Sequence, residues 1–212
     1  MAILKVGGTQ IASSSGSDVT LDNVALGSSV TGISTAGTVH LATYTADPAE
    51  DAEIATFNLG DYASYGTHIL RFENVRFEND LSVSFLRLGT SVSPITSGYN
   101  YNMNRTYGAS DTDPSTSGES GGTFMIQCSR YAGNASGEPG FSGEVSIFGA
   151  LSATLWTSGR GHLYEWKGDG YTSIIDSWGE YNTGVATPYL HFVSSAGDIE
   201  SGKIILSGVN NA

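Results

Sequence analysis

Cysteine occurs once in the 212 residues, at Cys128, so no disulfide can form within the chain and the fold must hold together by packing. Cys128 lies in the apolar run Phe124-Met125-Ile126-Gln127-Cys128 and reads as a small buried hydrophobe, not a nucleophile. Basic residues are scarce as well. Nine Lys and Arg stand against 21 Asp and Glu, for a formal net charge of -12. Binding a phosphate backbone needs clustered cations, so nucleic acid is not expected as a partner, and an anionic membrane surface is disfavoured for the same reason. Long apolar runs are missing: no stretch approaches the ~20 residues of a membrane-spanning helix, and the start Met-Ala-Ile-Leu-Lys-Val-Gly-Gly has no signal-peptide core. Membrane insertion is therefore not expected.

Catalytic signatures are also lacking. There is no Gly-x-Ser-x-Gly elbow, His-Glu-x-x-His pair, phosphate-binding loop or dinucleotide fingerprint. The four histidines, His40, His68, His162 and His191, are scattered without ligand spacing. The sequence thus points to no catalytic residue, no metal and no cofactor, and the expectation is a protein that is not an enzyme. One enzymatic alternative is a pair of carboxylates across a sugar bond, drawn from Glu144, Glu165, Asp176 and Glu180 near Trp166 and Trp178. Nothing in their spacing selects any two. Asp111, Asp113 and Glu119 only faintly resemble a calcium loop and read as a solvated turn.

What the chain does have is glycine, 28 residues of it, and a steady supply of β-branched and aromatic side chains. Short runs alternate with period two between Gly-rich turns, which is the signature of strands. Such runs fall at 54–59, 68–75, 81–88, 99–107, 123–129, 143–148, 153–157, 161–167 and 171–178. At the end, Tyr189–Val193 and Lys203–Leu206 flank a Gly/Asp/Ser link that reads as a hairpin, expected to insert among earlier strands and close the core. In 68–75, His68, Leu70, Phe72 and Asn74 fall on one face. In 81–88, the two faces are Leu81, Val83, Phe85, Arg87 and Ser82, Ser84, Leu86, Leu88, and the reversal at Leu86 and Arg87 suggests a bulge or strand end. With no amphipathic helix in view, the fold class is all-β, an antiparallel sandwich.

Residues 1–46 differ in texture, being rich in Ser, Thr and Gly with no aromatic before Tyr44. They read as an extended arm that leans on another surface through Ile3, Leu4, Val6, Val19 and Leu21, with the sandwich domain at 47–212. The polar stretch 91–122 reads as a long surface loop around one strand. Its Tyr99, Tyr101 and Tyr107, with Asp111 and Asp113, are the candidate exposed binding residues. Trp156, Trp166 and Trp178 read mainly as core packing.

Three blocks carry a family resemblance. The closing segment Gly197-Asp198-Ile199-Glu200-Ser201-Gly202-Lys203-Ile204-Ile205-Leu206-Ser207-Gly208-Val209 resembles a terminal pattern of tailed-bacteriophage structural proteins, with Ser207 where the family usually has Tyr. Gly133-Asn134-Ala135-Ser136-Gly137-Glu138 with Gly143-Glu144-Val145-Ser146-Ile147 resembles a second block, and residues 66–88 a third. The resemblance covers most of the chain after Ile54. It implies a jelly-roll sandwich in a virion protein assembled in the bacterial host cytoplasm, a homotrimer that contacts other tail or capsid proteins. The role it implies first is a tail fibre or receptor-binding component that touches a host surface glycan. The alternatives are a capsid decoration protein and a carbohydrate-binding module.

Overall fold

The structure, a computed structural model, describes residues 2–6, 9–14, 37–47, 54–107, 115–134, 137–166 and 171–210. The chain divides into two units, 1–35 and 36–212. In the first, β1 (Ala2–Val6) and β2 (Thr9–Ser14) form an antiparallel ladder, Ala2 opposite Ser14, with an irregularity between Leu4 and Lys5. The arm residues Ile3, Leu4 and Val6 lie on β1. Val19 and Leu21 lie outside the described residues.

The second unit holds twelve further strands among the described residues. They are β3 (Gly37–Thr45), β4 (Ile54–Asn58), β5 (Thr67–Phe77), β6 (Ser82–Gly89), β7 (Tyr99–Tyr107) and β8 (Ser115–Gly122), then β9 (Ile126–Ala132), β10 (Phe141–Phe148), β11 (Thr157–Trp166), β12 (Thr172–Tyr181), β13 (Tyr189–Ser194) and β14 (Ile199–Asn210). A 3-10 turn, Leu59–Tyr62, follows β4, with the Gly60 N–H donating to the Asn58 side chain and the Leu59 N–H to the Pro188 carbonyl. All the strand pairings are antiparallel. The large sheet runs β3-β14-β5-β10-β11-β12-β7-β8, and the small one β4-β13-β6-β9. Residues 37–45, read from the sequence as part of the arm, are thus an edge strand of the large sheet, paired with β14.

Eight of these strands make a jelly roll. Counted in chain order, β3, β4, β5, β6, β9, β10, β13 and β14 fall in the orders 1-8-3-6 and 2-7-4-5, the doubled Greek key of that fold. Two hairpins are inserted into it. β7–β8 comes between β6 and β9 in the chain, β11–β12 between β10 and β13, and both extend the large sheet past β10.

This topology corrects the expected closing hairpin. β13 and β14 do insert among earlier strands, between β4 and β6 and between β3 and β5, but they belong to different sheets. The link 195–198 is a corner that carries the chain across the sandwich. The link from β5 to β6 does the same, and the two corners pack side by side. Ser195 N–H donates to the Val83 carbonyl (2.8 Å), Glu78 N–H to the Asp198 carbonyl (2.9 Å), and Ser82 Oγ to the Ala196 carbonyl (2.8 Å). A Gly/Asp/Ser link marks a reversal of the chain; whether the next strand pairs with the last one depends on where the rest of the chain has gone.

Four phenylalanines tie the sheets together. Phe72 and Phe77 on β5 and Phe141 on β10 meet Phe192 on β13, with ring centroids 5.2–6.1 Å apart. Each is at most 1% exposed, and burying such a side chain stabilises by roughly 1.5–3 kcal/mol. Both β5 phenylalanines face inward although they stand five positions apart, because the strand changes phase between them. Asn74 adopts φ 50°, a conformation Asn tolerates better than most residues, and the pairing with β10 slips at that point. Val75 and Phe77 therefore turn into the core, correcting the alternation that grouped Asn74 with Leu70 and Phe72 and set Val75 on the opposite face. On β6 the alternation runs unbroken instead. Ser82 and Ser84 are buried beside Leu86 and Leu88, with Ser84 Oγ 2.8 Å from Ser129 Oγ.

Two further expectations are corrected. Residues 115–122, read as surface loop, form β8 against β7. Their Ser, Thr and Gly side chains give no apolar alternation to detect. Residues 153–156, read as the start of a strand, lie in the turn before β11. Ser152 Oγ accepts from the Leu155 N–H at 2.9 Å there, tying the chain into a local turn in place of a ladder.

Candidate functional site

Alternation on the inserted strands decides which side chains reach solvent. Along β12, Ser173, Ile175, Ser177 and Gly179 point inward, which leaves Ile174, Asp176, Trp178 and Glu180 on the outer face of the large sheet. β11 turns Leu163 and Glu165 in and presents Ser158, Arg160, His162 and Tyr164. The segment Tyr99-Asn100-Tyr101-Asn102-Met103-Asn104 of β7 alternates likewise, and sets its three asparagines on the same face as Trp178.

Register then brings these residues together. Arg160 lies opposite Trp178, His162 opposite Asp176, and Tyr164 opposite Ile174. On the other side, Asn102 is opposite Trp178 and Asn100 opposite Glu180. The side chains connect: His162 Nδ1 is 2.6 Å from Asp176 Oδ1, His162 Nε2 is 2.9 Å from the Tyr164 hydroxyl, and Asn100 Nδ2 donates to Glu180 Oε1 at 3.1 Å. Trp178 is 45% and Tyr164 53% exposed. An open groove of about 380 Å³ is lined by Asn100, Asn102, Ser158, Trp178 and Glu180, with the backbone of Gly159 and Gly179 beneath. A second depression of similar volume lies over β3, β14, β5 and β10 on the same sheet, between His40, Arg71, Glu144 and Ile205.

The inner side is sealed, and its buried carboxylate is bonded through both oxygens. Glu165, buried, accepts from Arg105 and from Ser173 Oγ (2.7 Å) on one oxygen, and from the Arg130 N–H (2.8 Å) and Tyr131 N–H (3.2 Å) on the other. Arg105 also stacks over the Tyr131 ring, 4.9 Å from its centroid. Cys128 is fully buried, which pushes its thiol well above the ordinary value. His68 and His191 are buried too, and desolvation holds both below the usual histidine value, against the opposing backbone bonds of Tyr62 and Ser91.

The residues expected from the sequence divide between the two sides. Tyr99, expected as an exposed contact, is instead fully buried. Its hydroxyl accepts from the Leu88 N–H (2.9 Å) and donates to the Ile95 carbonyl (3.1 Å), because β7 is a sheet strand whose odd positions point inward. Tyr101 packs on Phe124 at 4.4 Å between centroids and borders the groove; partial burial and then the nearby Glu119 charge raise its phenol. Tyr107 ends β7 opposite Ser173. Asp111 and Asp113 lie outside the described residues. Of the carboxylates weighed as a glycosidase pair, Glu165 belongs to the buried network, while Glu144, Asp176 and Glu180 face outward. Trp156 and Trp178, read as core, are 56% and 45% exposed. Asn100, Asn102 and Ser158 were missed, although the Tyr-Asn-Tyr-Asn-Met-Asn alternation carried a legible signal for the asparagines.

Among the described residues, no group of three or more His, Cys, Asp or Glu is placed to hold a metal ion, and no helix is long and apolar enough to cross a membrane. Fold and face together define a jelly-roll sandwich with an open, polar and aromatic outer sheet. No family model, no curated protein and no solved structure matches the chain.

Proposed function

We propose that this chain is a non-enzymatic structural protein of a tailed-bacteriophage particle, a tail fibre or receptor-binding component that recognises the bacterial surface with the outer face of its large sheet. The observation that carries the reading is the way the chain sorts its polar chemistry. The fully buried ion pair of Arg105 and Glu165 is sealed inside, while Trp178, Tyr164, His162, Asp176, Asn100 and Glu180 are set out on an open sheet. A rigid jelly roll holds such a surface in place without a moving part, and the same architecture serves in capsid and lectin domains. The surplus of negative charge suits a displayed protein that must stay soluble. The family resemblance of the closing segment supplies the phage context and the homotrimer.

A second reading, capsid decoration, draws on one feature. Leu155, Trp156 and Val185 are exposed on the loops 149–156 and 182–188, which are bonded to each other through the Thr187 N–H and the Ala150 carbonyl (2.7 Å), and an apolar end of this kind fits another protein. Antibody labelling of particles that carry the protein decides between them. A few copies at the tail tip support recognition, and copies spread over the head support decoration. Binding of the purified, fluorescently labelled protein to whole bacteria tests recognition directly, and sedimentation of the same sample tests the trimer.

A further inference from the structure

We propose that the groove beside Trp178 is a binding site for a neutral saccharide. The inference rests on the recognition reading above and names its ligand class.

An indole left 45% exposed in the middle of a ladder offers a flat apolar platform. The faces of pyranose rings are apolar patches of C–H bonds, with hydroxyls around the rim. Around Trp178 stand the groups that suit such a rim: the amides of Asn100 and Asn102, the Ser158 hydroxyl and the Glu180 carboxylate, which together supply both donors and acceptors. The Asn100–Glu180 bond holds two of these groups in position before any ligand arrives. A second platform lies along the same strands. Tyr164, opposite Ile174, is four residues of β12 away from Trp178, or roughly 13 Å at the rise of a strand. Between the two platforms the His162–Asp176 pair keeps the surface polar. The layout fits an extended chain of several sugar rings better than a single compact ligand.

Charge selects among saccharides. Among the described residues Glu180 is the only charged side chain lining the groove, Arg160 sits opposite Trp178 without lining it, and the whole chain carries -12. A polyanionic glycan would meet repulsion with no cluster of cations to offset it, so the ligand is neutral.

The purified protein is titrated with four neutral probes, the hexamers of maltose-type glucan, cellulose-type glucan, mannan and chitin, and with polygalacturonate, by calorimetry and tryptophan fluorescence. At least one neutral hexamer is expected to bind saturably, with fluorescence quenching, while polygalacturonate does not. Trp178→Ala is expected to weaken binding on the order of tenfold or more, as loss of a stacking platform would, with Asn102→Ala weaker and Trp156→Ala unchanged. Melting curves confirm that each variant is folded, and Trp178→Phe, which keeps a ring, should retain part of the affinity. Failure of all four hexamers, preference for polygalacturonate, or full affinity in folded Trp178→Ala overturns the proposal. Adhesion to whole bacteria is scored separately. Adhesion that no neutral hexamer displaces sinks the saccharide site and leaves recognition standing, whereas hexamer binding without adhesion to any bacterium sinks recognition.

Discussion

Arg105 and Glu165 form an ion pair with both side chains at 0% exposure, joining β7 to β11 across the intervening β12 beneath the small sheet. Through its other oxygen Glu165 also holds the backbone of Arg130 and Tyr131 on β9. One carboxylate thus fastens both inserted hairpins to the opposing layer. Losing either partner strands the other as a buried charge, which costs about 3–5 kcal/mol. Arg105→Met and Glu165→Leu are each expected to lose stability on that scale in urea denaturation, and the variant carrying both to lose clearly less than the sum. Strict additivity in the double-mutant cycle would show the two charges to be uncoupled.

Gly179 is required by a close approach of two layers. A Cβ there would lie 1.9 Å from the Met125 carbonyl oxygen, a backbone atom with little room to yield. Gly179→Ala should therefore cost about 1–3 kcal/mol or more by overpacking, whereas Gly184→Ala, whose nearest neighbour would be 3.5 Å away, should stay within about 0.5 kcal/mol. Equal melting temperatures for the two variants would count against the packing described.

Tyr99 tests the reassignment from surface contact to core anchor. Tyr99→Phe removes the acceptor of the Leu88 N–H and the donor to the Ile95 carbonyl, leaving both poorly satisfied, at a cost of about 1–3 kcal/mol. Adhesion to bacteria should be unchanged at temperatures where the variant is folded. A stable variant that no longer adheres would restore Tyr99 to the binding surface.

Acid should weaken the fold through His68 and His191. Burial lowers both values below the 6.5 of an ordinary histidine, so the unfolded chain takes up protons before the folded one does. Their contribution is intact above that value and declines as pH drops from 6.5 through the lowered folded values. His191→Asn, whose amide can still meet Thr56 Oγ1 (2.9 Å from His191 Nδ1 in the native chain), should flatten the fall in melting temperature between about pH 7 and pH 5. An unchanged slope in both His191→Asn and His68→Asn would assign the acid sensitivity to other groups.

Much of the strand pattern was legible because side-chain alternation is a local property. Leu70 and Phe72, or Leu190 and Phe192, mark a buried face without reference to anything distant. The illegible parts share a different cause. The phase change at Asn74 requires one residue to take a left-handed conformation, and period two carries no trace of it. β8 is held by its ladder to β7 and has no apolar stripe to announce it. Glu165 and Arg105 look like two surface charges 60 positions apart until the hairpins are laid side by side.

The chain's own residues dictated antiparallel strands, a core built from their alternating faces, and a strong excess of negative charge, since each follows from neighbours in sequence or from composition. Only the tertiary arrangement decided that β13 and β14 part into separate sheets, that Tyr99 turns in, and that Trp178 turns out beside two asparagines. The reason is that an alternating strand offers two faces of comparable plausibility, and which one is covered depends on layers contributed by residues far away in the chain.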